Sequence, residues 1–277
     1  MRKFMPLFAA VLSVVLVACA QRPDNPTARP AESGPTTSSA PTTTTTRPTA
    51  VPGPGGVTVP VFTQPYPFGT VQAQVPPTTD GLAPVVRRIQ TDKPYVFITI
   101  DDGAVRHPQA LDLIRLSGVR PTLFLNTKYV DGHGDYFTPL RKQTEVSVQA
   151  HTATHPNLSG KPYETQKQEI CGNADFLAGT FGVRPTLFRP PFGNHDVTTR
   201  RAAADCGMSA IVLWTASVND GVVQFQAGDK LNAGDIVLMH FRDSFVEDYL
   251  AFLNRARQDG LTPVVLEDFL AGTPPKG

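Results

Sequence analysis

From residue 95 onward, short apolar runs alternate with amphipathic stretches. Runs at 95–100, 121–125, 146–150, 185–188, 209–213, 235–239 and 262–266 predict strands. Between them the spacing turns helical. A helix is predicted over 108–116, with Pro108 at its start, apolar Ala110, Leu111 and Ile114, and Gly118 past its end. A second covers 162–181, with Ile170, Ala174, Leu177, Ala178 and Phe181 on one face. A short third runs from Asp196 as N-cap to Gly207, and a capping box at Ser244–Glu247 opens a fourth that ends at Gly260. Strand, helix, strand in repetition predicts a parallel sheet with helical crossovers, and strands this numerous in so short a stretch suit a small, incomplete (β/α) barrel.

Before residue 95 the pattern is different. Met1-Arg2-Lys3 and an apolar run from Phe8 to Ala18 read as an export signal, too short for a comfortable membrane span. The run ends in Leu16-Val17-Ala18-Cys19, so residues 1–18 are expected to be a lipoprotein signal and Cys19 the lipidated residue. The protein is then expected to be exported and anchored to the outer face of the cell membrane as a lipoprotein, in the cell envelope. Residues 19–56 are rich in Pro, Thr, Ser and Ala, with almost nothing large to bury, and predict a linker. In polyproline geometry it would reach on the order of 100 Å. Residues 57–94 alternate Val59, Val61, Val71 and Val75 between prolines, which fits an extended segment packed on the domain at 95–277.

Composition adds little beyond this. A net charge of +1 offers no electrostatic footprint for nucleic acid. Apart from Cys19, Cys171 and Cys206 fall on crossover helices that follow consecutive strands. They read as a disulfide, which an exported protein permits, or as two buried thiols.

The polar residues at the strand ends carry the chemistry. Asp101 and Asp102 follow the first apolar run directly, and two adjacent carboxylates there repel each other unless something positive intervenes. His151 and His155, four apart at the end of another run, could share a metal ion with a carboxylate. Asp101, Asp102, His151, Arg189, Trp214 and His240 all fall at the C-terminal ends of predicted strands, where parallel barrels place their active sites.

Thr99-Ile100-Asp101-Asp102-Gly103 and His151-Thr152-Ala153-Thr154-His155, in this order, resemble the first two motifs of the polysaccharide deacetylase (NodB homology) family, carbohydrate esterase family four. Arg189-Pro190-Pro191-Phe192-Gly193 resembles the third, and Ile236-Val237-Leu238-Met239-His240 the fifth. The resemblance spans roughly 95–270 and implies a distorted (β/α) barrel. It implies a metal-dependent deacetylase, with one divalent ion, zinc or cobalt among others, on Asp102, His151 and His155. Asp101 would be the general base, Arg189 its pairing partner, and His240 the acid that protonates the leaving amine. A backbone N–H at Phe192 would hold the oxyanion, and Trp214 and Leu238 would shape the substrate pocket. The implied partner is an acetylated envelope glycan, with peptidoglycan foremost, and a monomer is expected.

The fourth motif departs from the family pattern. Trp214 is followed by Thr215-Ala216-Ser217-Val218-Asn219-Asp220-Gly221, with Ser217 where a carboxylate is common and no second tryptophan. Asp220 is therefore expected to support His240, directly or through Asn219. Three competing readings remain: an O-acetyl esterase on the same fold, a non-catalytic glycan-binding module, and a non-haem iron oxygenase with two His and one carboxylate. The adjacent Asp pair and the parallel pattern argue against the last.

Overall fold

A computed structural model of the chain describes residues 49–271. The expected leader 1–18, Cys19 and the linker up to residue 48 lie outside these residues.

The described chain begins inside the expected linker. β1 (Ala50–Pro52) pairs antiparallel with β2 (Thr58–Pro60), so only 19–48 of the predicted linker lies before the first hairpin. The segment that sequence alone did not place then contributes β3 (Val85–Val86). β4 (Tyr95–Asp102) is buried along nearly its whole length, which explains its continuous apolar run. Next come α1 (Ala110–Ser117), ending at left-handed Gly118, and β5 (Thr122–Leu125). α2 (Thr127–Val130) and α3 (Gly134–Thr144) follow, neither of them foreseen. β6 (Ser147–Ala150), α4 (Tyr163–Phe181) and β7 (Leu187–Phe188) come after. α5 (Val197–Asp205) is capped by Asp196 as expected, and β8 (Ala210–Val212) leads to Trp214. β9 (Ala216–Asn219) and β10 (Val222–Phe225) form a hairpin. The described chain closes with β11 (Ile236–His240), α6 (Phe245–Gln258) and β12 (Thr262–Pro263).

Apart from the β1–β2 hairpin, the strands form one curled sheet in the order β10-β9-β11-β4-β5-β6-β7-β8-β3, with β12 paired to β4. Every pairing except the β9–β10 hairpin is parallel, so the crossovers stack helices outside the curl. This is the expected incomplete (β/α) barrel. Its two flanks meet where Arg88 ion-pairs with the buried Asp235 and the Ile89 N–H donates to Gly234 O at 2.9 Å. Gly234 is obligatory at this seam. Its φ is +85°, and a Cβ there would lie 2.0 Å from Ile89 O.

The capping box expected at Ser244 does not form. The Ser244 hydroxyl donates to Asp248 Oδ2 at 2.9 Å instead of accepting a backbone N–H, and its ψ of 19° lacks the extended shape a cap needs. Cys171 and Cys206 are joined by a disulfide, 35 residues apart, that ties α4 to the end of α5. A closed loop of that size contributes about 3–4 kcal/mol in the chain-entropy account. No helix among the described residues is long and apolar enough to cross a membrane.

One acidic group beneath the sheet is poorly matched to its surroundings. Asp268 is 4% exposed, and its Oδ2 has no hydrogen-bond partner among the described residues. Burial, reinforced by Glu267, pushes its carboxyl up from the ordinary 3.8 to about 6, with the Gly69 N–H and Arg120 opposing only in part. A raised folded-state value means that the stability contributed by protonation is complete near pH 4 and lost as the pH rises through about 6. Asp268→Asn should therefore be more stable than wild type at pH 7.5, by on the order of 2 kcal/mol, and no more stable at pH 4. Urea denaturation of both proteins at the two pH values measures this. A variant less stable at both would mean the carboxylate is needed where it lies.

Candidate metal centre

The site begins with the end of β4. Neighbouring residues of a regular strand point to opposite faces, but Asp102 has φ +75°, and this left-handed turn breaks the alternation. Both carboxylates consequently face the same histidine. Asp102 Oδ1 lies 3.4 Å from His151 Nε2 and 3.4 Å from His155 Nε2, while Asp101 Oδ2 lies 3.7 Å from His151 Nε2.

The loop after β6 is held with equal care. Thr152 and His155 both have positive φ, at 73° and 63°, a conformation costly for residues with side chains. Its cost is met by buried hydrogen bonds. The His151 N–H donates to Asn173 Oδ1 at 2.9 Å, Asn126 Nδ2 donates to the carbonyls of His151 and Thr152, and the His155 N–H donates to Thr152 Oγ1 at 3.0 Å. Glu169 on α4 accepts from both the N–H and the hydroxyl of Thr154. Sequence reasoning missed Asn126 and Asn173, because a lone buried asparagine has no local signature.

His151 Nδ1 lies 2.6 Å from the carbonyl of Arg189. A carbonyl can only accept, so Nδ1 carries the proton and the Nε2 lone pair faces Asp102. Asp102, His151 and His155 together offer two imidazole nitrogens and one carboxylate oxygen, all within 4.8 Å of one another. Asp102 Oδ1 is buried and finds no hydrogen bond among the described residues. Burial alone would raise the Asp102 carboxyl, but the adjacent imidazoles, His151 foremost, hold it below its ordinary value. Burial, with His151 close by, lowers His155 and so favours its neutral, ligating form. An orphaned buried oxygen facing two imidazole nitrogens is a donor set suited to zinc or a similar divalent ion.

Behind this set lies Arg189, fully buried. Its Nη1 donates to Asp101 Oδ1 at 2.7 Å and to Thr99 Oγ1 at 2.7 Å, and its Nε donates to Val212 O at 3.1 Å. The guanidinium lies 4.3 Å over the Phe124 ring, with the Trp214 ring 5.5 Å away. Burial lowers its pKa and Asp101 opposes this.

His240 is level with Asp101 on the neighbouring parallel strand. Burial lowers its pKa, against the pull of Asp101 and Asp102. The expected support from Asp220 is absent. His240 Nδ1 is buried without a partner among the described residues. Asp220 instead turns the β9–β10 hairpin with φ +50°. Asn219 does not relay it either: its amide faces Ser217 Oγ at 3.4 Å and Gln224, and its oxygen accepts from Arg242 at 2.7 Å. A turn residue that must adopt φ > 0 has its direction set by the turn.

Asp101, Asp102, His151, His155, Phe192, Trp214, Leu238 and His240 line one cavity of about 330 Å³. Phe192 sits at its mouth, 63% exposed, with φ +62° and its ring 4.9 Å from that of His155.

The family model described as polysaccharide deacetylase matches residues 88–211, a stretch that includes the Asp pair, both histidines and Arg189. Residues 88–211 are thus similar to the polysaccharide deacetylase family. An uncharacterised Streptomyces coelicolor protein is 48% identical over 159 residues, covering 56% of this chain and 63% of its own. A bifunctional xylanase/xylan deacetylase of Cellvibrio japonicus is 28% identical over 53% of this chain and 23% of its own. A peptidoglycan-N-acetylglucosamine deacetylase of Listeria monocytogenes is 26% identical, over 57% and 34%. The match thus spans less than two thirds of each of these relatives. Among solved structures, a family 4 carbohydrate esterase from Streptomyces lividans in complex with acetate is 27% identical, covering 63% of this chain and 94% of that one, at TM-score 0.53. A family 4 pseudoenzyme of Bacillus anthracis superposes at TM-score 0.59 with 20% identity, over 68% and 69%. The curled, incomplete barrel of this chain is the fold these deacetylase-family structures share.

Proposed function

We propose that this protein is a metal-dependent hydrolase that removes N-acetyl groups from an amino-sugar polymer of the cell envelope, with peptidoglycan as its substrate. The observation that carries this reading is the pairing of two carboxylates with different surroundings. Asp102 faces two imidazole nitrogens, while Asp101, one residue away, is gripped by a buried arginine and left free of the ligand set. That division separates a ligand from a base.

A divalent ion on Asp102, His151 and His155 would polarise the acetyl carbonyl and lower the pKa of the attacking water. The protein's own groups supply the rest. Asp101, oriented by Arg189, takes the proton from the water. The backbone turn at Phe192, held at positive φ beside the site, offers an N–H to the oxyanion. His240 gives a proton to the departing amine, and Leu238 and Trp214 wall the acetyl methyl and the sugar. Export and a lipid anchor on Cys19 would place this chemistry at the outer membrane face, within reach of the wall through the Pro/Thr-rich tether.

One observation favours a second reading. His240 has no partner on Nδ1, so nothing raises its basicity from behind. An alkoxide leaves with less help than an amine, so an O-acetyl esterase would tolerate this. The relative named as a xylan deacetylase lends that reading support. The test is acetate release from N-acetylated peptidoglycan, N-acetylglucosamine oligomers and O-acetylated xylan, with chelator and with zinc or cobalt restored. We expect release from the N-acetylated substrates, lost on chelation and recovered on metal addition. Release from xylan alone would establish the esterase, and release from none would leave a glycan-binding module.

A further inference from the structure

We propose that Arg87 builds a carboxylate-recognising subsite beside the acetyl site, so that the preferred substrate is an acidic amino-sugar polymer. This rests on the deacetylase reading above and narrows its substrate class.

Arg87 precedes the stretch that matches the family model, and the sheet brings it to the active rim. β3 runs parallel to β8 with Val85 opposite Ile211 and Val86 opposite Val212. The Leu213 N–H donates to Val86 O at 2.8 Å. Arg87 therefore leaves the C-terminal end of its strand level with Leu213 and next to Trp214, at the end of the barrel where the metal ligands lie.

A cavity of about 180 Å³ opens there, lined by Arg87, Phe192, Gly193, Leu213, Trp214 and Gln226. It shares Phe192 and Trp214 with the metal-site cavity, so the two adjoin across these aromatic rings. Its lining includes one cation and no acid. Gly193 lines it beside the indole: φ is +73°, and a Cβ would come to 3.0 Å from Trp214 Cη2, so a side chain there would press on the ring.

An exposed arginine is ordinarily just solvated. Two features set this one apart. Its backbone is pinned, since Arg88 ion-pairs with Asp235 and the Ile89 N–H binds Gly234 O. Its own guanidinium makes no ion pair or hydrogen bond to any described residue, whereas that of Arg88 is paired with Asp235. A planar fork of donors in a cavity that an indole also lines suits a sugar that packs on the ring and presents a carboxylate to the arginine. The ligand class is a glycan whose sugar next to the acetylated one bears a carboxylate, as an ether-linked lactate or as a uronic acid.

The experiment uses the full-length protein in detergent and three tetrasaccharides. The first alternates N-acetylglucosamine with N-acetylmuramic acid carrying a free lactyl carboxylate. The second is the same with the lactyl group as carboxamide, and the third alternates N-acetylglucosamine with glucuronic acid. In wild type, kcat/KM for the carboxylate form should exceed that of the carboxamide by about five- to tenfold, the gain falling with salt. Arg87→Gln should bring this ratio to about one, and Arg87→Lys should restore part of it, which a purely structural role would not do. A ratio unmoved in Arg87→Gln, or a ratio of one in wild type without an Arg87-dependent preference for the glucuronate tetrasaccharide, overturns the proposal. Arg87-dependent preference for the glucuronate tetrasaccharide over the lactyl form would assign the carboxylate to a uronic acid. If wild type releases no acetate from any of them, the deacetylase reading fails, and calorimetric Kd values for the first two decide the subsite. Discrimination that vanishes in Arg87→Gln then supports it, and equal binding rejects it.

Discussion

Replacing His155 by alanine is expected to weaken divalent-metal binding at least 100-fold and to remove acetate release with it. Outer-shell partners alone typically cost about 10–100-fold in metal affinity, and a direct ligand costs more. His155 is the cleanest ligand to remove. Its side chain is 19% exposed and lies on a loop at the rim, whereas His151 is buried and braced against the Arg189 carbonyl. The metal-free variant should therefore melt close to metal-free wild type. Zinc should raise the wild-type melting temperature by mass action and leave that of His155→Ala nearly unchanged, a readout independent of turnover. Burial lowers the His155 pKa, so the imidazole stays neutral below its ordinary titration range, and zinc binding should persist to lower pH than for an exposed histidine. Asp102→Ala should behave alike. Stoichiometric zinc retained by either variant would show that Asp102, His151 and His155 are not the ligands.

The parts legible in the sequence were those with a strong local signal. β4 is buried on both faces, so it reads as one apolar run, and the carboxylates at its exit stand out because the run ends on them. The crossover helices with glycine stops, α1 and α4, fell where expected. α3 did not, because Gly132, Gly134 and Pro139 all read as turn residues, and only burial of Phe137 and Leu140 holds the helix in place. The β9–β10 hairpin did carry a signal, an Asp-Gly pair between alternating residues, with Asp220 at φ +50° and Gly221 at φ +73°. Reading Asp220 for its charge hid its role as a turn. Asn126, Asn173 and the two-residue strand β3 act only through partners distant in sequence, which no local pattern can reveal. Arg87 reaches the rim by the same route.

Asp101→Asn is expected to keep the metal and lose turnover by about 10²–10⁴-fold, the usual contribution of a general base. The substitution preserves shape, and an asparagine oxygen can still accept from Arg189 Nη1, now 2.7 Å from Asp101 Oδ1. The negative charge is lost, however, and Arg189 is left as a cation inside the barrel. Removing one partner of a buried ion pair typically costs about 3–5 kcal/mol. Here the guanidinium keeps Thr99 Oγ1, the carbonyls of Val212 and Leu213, and the Phe124 ring. The loss should accordingly be nearer 2 kcal/mol, on the order of a buried charged hydrogen bond. That is small enough to leave the protein folded at 25 °C and large enough to read in urea denaturation. The two effects separate cleanly. Zinc titration of the variant should match wild type, since Asp101 is outside the ligand set, while acetate release at saturating zinc should collapse. If instead turnover stays within about fivefold of wild type while stability falls, the carboxylate serves chiefly to neutralise Arg189. The proton of the attacking water would then pass to another group, with His240, level with Asp101 on the adjacent strand, as the nearest alternative.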